Sequence, residues 1–208
     1  MILKTFVAGM LENNNYLLID ELSKQAVLID CSEYIPEVQD VICQNKAYLK
    51  YILITHGHFD HVMGINEFHK IYPEAEIIVP KNDKDLVEGI ETFLDRFIGG
   101  FGHVEIPHVD KYISENDELY LGNEKIKIIS TPGHTKGGVC YFVDDKLFSG
   151  DTIFLGSVGR TDLPGGSFEQ IKNSVKHVLK MFDDDVIIYT GHGDETSVEY
   201  EKKNNPVM

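Results

Sequence analysis

Three histidines and one aspartate lie close together in residues 55–61, THGHFDH. The segment follows the apolar run at residues 51–54, which is typical of a buried strand. Imidazole and carboxylate groups are ligands shared by Zn²⁺, Fe²⁺ and Mn²⁺. Alternate residues of an extended segment point to the same side, so His56 and His58 can reach one ion, while the two ligands beyond the strand can turn towards a second. The sequence therefore predicts a metal site at a strand end.

Three later apolar segments also end in a histidine or an aspartate. These residues are His134 after residues 125–129, Asp151 after residues 146–148 and His192 after residues 186–189. An aspartate has two oxygens that can face two cations, so Asp151 is a natural bridging ligand. We therefore expect all four segments to deliver ligands to the same place.

The motif His56-x-His58-x-Asp60-His61 resembles the signature of the metallo-β-lactamase fold superfamily, and the three later residues follow in the order that this family uses. The resemblance implies an α/β fold, an αββα sandwich of two mixed β-sheets flanked by helices, in a single domain over residues 1–208. It also implies two metal sites, expected to hold two Zn²⁺, with Fe or Mn as alternatives. The ligands would be His56, His58 and His134 at the first site, and Asp60, His61 and His192 at the second, with Asp151 shared.

Asp30 ends the apolar run at residues 26–29 and resembles the family's first motif, an acidic residue that braces the metal loops. A plain turn residue is the alternative interpretation. Asn82 or Asp83 is expected to cap a helix that continues to Phe97. The glycine-rich loop that follows, with Phe97 and Phe101, is as compatible with a lid over a pocket as with a simple connector.

The resemblance implies hydrolysis of a small-molecule thioester, as in glyoxalase II (hydroxyacylglutathione hydrolase). Hydroxide held between the metals would attack the carbonyl group, and Asp60 would act as a catalytic residue that orients it. Arg160 is predicted to bind a substrate carboxylate, with a structural salt bridge to Asp162 as the alternative.

Three other activities of the same fold stay open: a mononuclear iron persulfide dioxygenase, a lactonase and a phosphodiesterase. The stretch at residues 159–162, GRTD, resembles both the small glyoxalase II-like hydrolases and the persulfide dioxygenases. Only sixteen residues follow His192. They do not resemble the helical extension that binds glutathione in glyoxalase II, so the thiol of the substrate stays open.

Composition limits the partners. With 42% apolar residues the chain is expected to be globular, and its net charge of −15 argues against binding to nucleic acid or to anionic membranes. Three cysteines without CxxC spacing argue against a disulfide scaffold. We expect a soluble, cytoplasmic protein whose acidic surface is compatible with a homodimer.

Overall fold

Two six-stranded sheets pack face to face in the computed structural model, which describes residues 1–97, 99 and 103–208. The strands of the first sheet lie in chain order: β1 (Ile2–Ala8), β2 (Asn13–Ile19), β3 (Gln25–Ile29), β4 (Tyr48–Leu53), β5 (Glu76–Pro80) and β6 (Lys111–Ile113). Strands β1 to β3 form an antiparallel meander, and β3 to β6 are parallel.

The second sheet contains β7 (Leu119–Leu121), β8 (Glu124–Ser130), β9 (Val139–Val143), β10 (Lys146–Gly150), β13 (Ile187–Thr190) and β14 (Thr196–Ser197). Their spatial order is β14, β13, β10, β9, β8, β7. Only β10 and β13 run parallel, so both sheets are mixed, as predicted. A short antiparallel ribbon, β11 (Ile153–Phe154) with β12 (Ser157–Val158), follows β10 in the chain and precedes β13.

Helices cover the outer faces of the two sheets. On the first sheet lie α1 (Pro36–Gln44), α2 (Phe59–Val62), α3 (Ile65–Ile71), α4 (Lys84–Glu88) and α5 (Ile90–Phe97); on the second lie α6 (Phe168–Met181) and α7 (Val198–Asn204). The predicted αββα sandwich is thus confirmed. Gly89 separates α4 from α5, where one continuous helix was predicted, and the sequence pattern did not reveal α7.

Strands β2, β3 and β5 of the first sheet are buried on both faces, which explains their continuous apolar runs. In β2, Leu17 and Ile19 face the helices, whereas Tyr16 and Leu18 face the second sheet. This alternation follows from the twofold period of a strand. Within the described part of the chain, no helix combines the length and the apolar character that crossing a membrane requires. Phe101 and the side chain of Phe97, considered above for a lid or a connector, lie outside the described residues.

Hydrogen bonds join the two sheets at the edge where β4 ends. The backbone N–H of Val139 donates to the Thr55 carbonyl at 2.9 Å, and the Tyr141 hydroxyl donates to the Ile54 carbonyl at 2.9 Å. The segments that carry the predicted ligands leave their strands at this same edge, so the sandwich brings together residues that are far apart in the chain.

Candidate metal centre

All seven predicted ligands converge at this edge. Six are buried, and the side chain of His192 is 25% exposed. Their ligand atoms form three overlapping groups, within each of which all atoms lie within 4.8 Å of one another. The groups are His56/His58/His134, His56/His61/Asp151 and Asp60/His61/His192. The structure therefore brings together every residue that the sequence predicted for the two metal sites.

Asp151 lies between the two predicted metal sites. Its Oδ2 is 3.4 Å from His134 Nε2 and 3.6 Å from His192 Nε2, and its Oδ1 is 3.4 Å from His61 Nε2. Neighbouring ligand atoms of a tetrahedral ion with bonds of about 2.1 Å are separated by about 3.4 Å. One carboxylate thus lies at ligand distance from histidines of both sites, as a bridging ligand requires.

Several buried polar atoms of the centre have no hydrogen-bond partner. Within the described residues these include Nε2 of His56, His58 and His61, and Oδ1 of Asp151. Leaving a buried polar atom unpaired costs about 1–3 kcal/mol. Four such atoms in one centre fit a metal site, because coordination to a metal ion would satisfy each of them.

In three of the predicted histidine ligands, the ring nitrogen that faces away from the centre, Nδ1, lies at hydrogen-bond distance from an oxygen atom. His61 Nδ1 lies 2.9 Å from Asp30 Oδ2, His134 Nδ1 lies 2.7 Å from the Arg160 carbonyl, and His192 Nδ1 lies 2.9 Å from the Leu11 carbonyl. A carbonyl only accepts, so the Nδ1 of His134 and of His192 donates and the Nε2 lone pair faces the centre. His58 is oriented differently, with Nδ1 at 2.8 Å from His134 Nε2.

Asp30 braces the first ligand loop. Its buried carboxylate accepts hydrogen bonds from the backbone N–H and the hydroxyl of Thr55, at 2.8 and 2.9 Å, and contacts His61. The bracing interpretation is therefore the one that the structure supports. The backbone of Asp30 has φ +60°, a conformation that aspartate tolerates better than most residues.

Asp83 performs a similar task that the sequence did not reveal. It is fully buried and accepts hydrogen bonds from Gly57 N–H at 2.9 Å, the Thr135 hydroxyl at 2.7 Å and Gly137 N–H at 2.6 Å. A Cβ at residue 137 would lie 2.6 Å from Asp83 Cγ, so glycine is needed there. Asp83 thus links the loop of His56 and His58 to the loop of His134. The signal that could have revealed Asp83 is its position just after β5, at the edge of the sheet where the predicted ligands lie.

The sequence pattern also did not reveal the role of the three asparagines that begin β2, because consecutive polar residues between apolar runs are typical of a turn. All three are buried. Asn13 donates to Asp60 Oδ2 at 3.3 Å, and Asn14 donates to the carbonyls of Thr190 and Gly193 at 3.0 and 2.9 Å. These amides hold Asp60 and the loop of His192 in place.

Burial and charge divide the histidines into two kinds. Burial, together with the neighbouring His134, lowers the pKa of His58 to about 3, and burial also lowers that of His56 well below its usual value. Burial would likewise lower the pKa of His61, but the carboxylates of Asp30 and Asp151 outweigh it and raise the pKa well above its usual value. His56 and His58 are therefore neutral imidazoles, the form that binds metal.

Arg160 is paired with Asp162. Its Nε and one terminal nitrogen donate to the two carboxylate oxygens, each at 2.7 Å, and both side chains are largely exposed. This is the salt bridge considered as an alternative to substrate binding. The side chains of both residues line an open cleft of about 740 Å³ that reaches the predicted ligands His58, Asp60, His134, Asp151 and His192.

The comparisons with known proteins agree with this centre. The family model of the metallo-beta-lactamase superfamily matches residues 9–192, and the chain belongs to that superfamily. The chain is 32% identical to hydroxyacylglutathione hydrolase GloC of Haemophilus influenzae, over 93% of this chain and 92% of the relative. Fold, donor set and family together define a metal-dependent hydrolase.

Two solved structures have the same fold over almost their whole length. BLEG-1 B3 metallo-beta-lactamase is 25% identical, with a TM-score of 0.88 over 99% of this chain and 98% of that one. TTHA1623 in a di-iron-bound form is 26% identical, with a TM-score of 0.85 over 99% and 100% of the two chains.

Proposed function

We propose that this protein hydrolyses small-molecule thioesters with two bound metal ions, expected to be Zn²⁺, in the manner of glyoxalase II. The observation that carries the proposal is the position of Asp151, with one carboxylate oxygen 3.4 Å from His61 Nε2 and the other 3.4 Å from His134 Nε2. The di-iron form of TTHA1623 supports two ions and keeps iron as an alternative metal.

Two divalent cations held by these residues would supply an activated water and a Lewis acid for the carbonyl group. The chain itself contributes orientation. Burial alone would raise the pKa of Asp60, but His61 and His192 lower it below the usual value, so this carboxylate stays ionised. Because Asp60 lines the cleft and is held by Asn13, it can accept a hydrogen bond from the attacking water.

The cleft favours a leaving group that needs no proton. Among the described residues that line it, no His, Tyr, Lys or Cys lies outside the predicted ligands. Hydrogen bonds from Arg160 lower the pKa of Asp162 to about 2, so this group cannot serve as an acid. A thiolate leaves readily in its ionised form, whereas an amine must first be protonated. This supports a thioester over an amide, as does the relationship to GloC.

Metal content and thioester hydrolysis would test the proposal together. We expect about two ions per chain by mass spectrometry in protein purified without chelators, and about one in His61→Ala. His177→Ala, which changes an exposed histidine on α6, is the matched control and should keep both ions. The metal-loaded wild type should hydrolyse S-lactoylglutathione or the lactoyl thioester of N-acetylcysteamine.

Two results would contradict the proposal. One iron per chain, unchanged in His61→Ala, would exclude the dinuclear centre and favour the dioxygenase alternative. Two ions with cleavage of a lactone or a phosphodiester, and none of either thioester, would assign the centre to another hydrolytic reaction.

A further inference from the structure

The turn between β1 and β2 is fixed at the metal centre. Gly9 and Glu12 have positive φ values of +80° and +55°, and Glu12 N–H donates to the Gly9 carbonyl at 3.1 Å. The Leu11 carbonyl accepts a hydrogen bond from His192 Nδ1 at 2.9 Å. The backbone of the turn is therefore tied directly to a predicted metal ligand.

This fixed turn exposes two large apolar side chains. Met10 is 65% exposed and Leu11 is 49% exposed, and both line the cleft. Exposed apolar side chains that are scattered singly are common on protein surfaces, but a group of them beside a site indicates a contact with a ligand.

Aromatic residues continue this surface across the cleft. The ring of Phe93 lies 5.7 Å from the ring of His58, and that of Phe154 lies 6.0 Å from the ring of His192. With Phe59 and Leu163 they complete an apolar face, made of Met10, Leu11, Phe59, Phe93, Phe154 and Leu163. The apolar face therefore extends on both sides of the predicted metal ligands.

The charged groups of the cleft do not favour an anionic substrate chain. Among the described lining residues the one permanent cation is Arg160, which donates to both oxygens of Asp162. The other charged groups there are carboxylates, of which Asp60 and Asp151 are predicted to hold metal. In the sequence, residues 98–102 carry no charged side chain. The described lining of the cleft thus offers no unpaired basic group to hold a carboxylate at the end of a substrate.

We infer that the apolar face binds the hydrocarbon acyl chain of an uncharged thioester and so selects for chain length. This inference rests on the proposed thioesterase function and specifies its substrate class. The reacting carbonyl would lie at the predicted ligands, while the chain extends over Met10 and Leu11. A pocket lined by apolar and aromatic groups, with few polar groups at one end, is typical of small-molecule sites that recognise such a substrate.

The test uses N-acetylcysteamine thioesters of acetate, butanoate and hexanoate with the metal-loaded full chain. Complete burial of one methylene corresponds to about a fourfold gain in binding. A chain that lies against one wall of an open cleft buries about half of its surface, so we expect kcat/KM to rise about twofold per methylene. The rise from acetyl to hexanoyl, which adds four methylenes, would then be about sixteenfold.

Met10→Ser with Leu11→Ser should reduce this rise to about fourfold or less, because half of the apolar contact is removed. The Leu11 carbonyl that accepts from His192 is kept, so metal content should stay at the wild-type level. Leu22→Ser is the matched control, since Leu22 is 93% exposed in the next turn of the chain and does not line the cleft. It should keep the full rise.

Each other outcome has a distinct meaning. If the wild type cleaves all three thioesters at the same rate, or if the double variant keeps the wild-type rise, the inference is wrong and the thioesterase function stands. If the metal-loaded wild type cleaves none of the three but hydrolyses a lactoyl thioester, this inference is wrong and the proposed function stands. If it cleaves no thioester at all, the proposed function fails and this inference fails with it.

Discussion

Replacing Asp83 by Asn tests whether one buried carboxylate sets the geometry of the first metal site. Both oxygens of Asp83 accept hydrogen bonds, Oδ1 from Gly137 N–H and Oδ2 from Gly57 N–H and the Thr135 hydroxyl. Asparagine has one oxygen and one NH₂ group. Whichever way its amide is turned, a donor faces a backbone N–H of one of the two ligand loops.

The expected size of the effect follows from these contacts. One buried backbone N–H loses its partner, which costs about 1–3 kcal/mol, and the remaining hydrogen bonds lose the contribution of the negative charge. We therefore expect Asp83→Asn to lower the free energy of unfolding of the metal-free protein by about 2–4 kcal/mol. Residues that orient metal ligands typically change metal affinity by about 10–100-fold. We expect a loss of that size at the site of His56, His58 and His134.

The assay is competition for Zn²⁺ with a chromophoric chelator, together with urea unfolding of the metal-free protein. Glu201→Gln is the matched control. Glu201 is also fully buried and accepts hydrogen bonds from Gly156 N–H at 2.9 Å and from Thr196 and Asn205, both at 2.7 Å, but it is not among the predicted ligands. It should lose about 1–2 kcal/mol of stability with unchanged metal affinity.

Wild-type affinity of Asp83→Asn for both ions would show that Asp83 does not set the geometry of the first site. An equal loss of metal binding in Glu201→Gln would show that the loss follows from general destabilisation. A selective loss of one of two ions in Asp83→Asn is the result that supports this role of Asp83.

Three further predictions concern stability, each measured by urea unfolding. Gly133→Ala should lower the free energy of unfolding by more than about 3 kcal/mol, because Gly133 has φ +143° and a Cβ there would lie 2.2 Å from Ile171 N; a loss below about 1 kcal/mol would contradict this. In metal-free protein, His58 and His61 should together give a stability maximum near pH 6.5. Below about pH 6.5 the unfolded chain binds more protons at His58, whose folded pKa is about 3, so stability decreases as the pH is lowered. Above about pH 6.5 the folded chain keeps the proton on His61, so stability decreases as the pH is raised. Stability that increases steadily from pH 5 to 9 would be inconsistent with these shifts. Free Zn²⁺ at about 100 times its Kd should stabilise the metal-free protein by about 2.7 kcal/mol per site, and no change on adding Zn²⁺ would exclude a metal site.

Much of the fold could be predicted because its information is local. The continuous apolar run of β2 reflects burial on both faces of a strand, and the spacing of apolar residues in α6 reflects the one face that this helix buries. The break at Gly89 was missed because a single glycine is often tolerated within a helix. Helix α7 was missed because its sequence is mostly polar, with Val198 and Glu201 as its buried residues.

The identities of the predicted ligands were set by the sequence, because imidazoles and carboxylates at strand ends have few other uses in such density. The tertiary structure decided what surrounds them. Asp83 and Asn13 look like ordinary turn residues until the first sheet places them against Gly57 and Asp60. Their roles depend on contacts between residues 26 or 47 positions apart. A hydrogen bond over that separation is fixed by the spatial order of β2, β4 and β5 in the sheet, which no local pattern encodes.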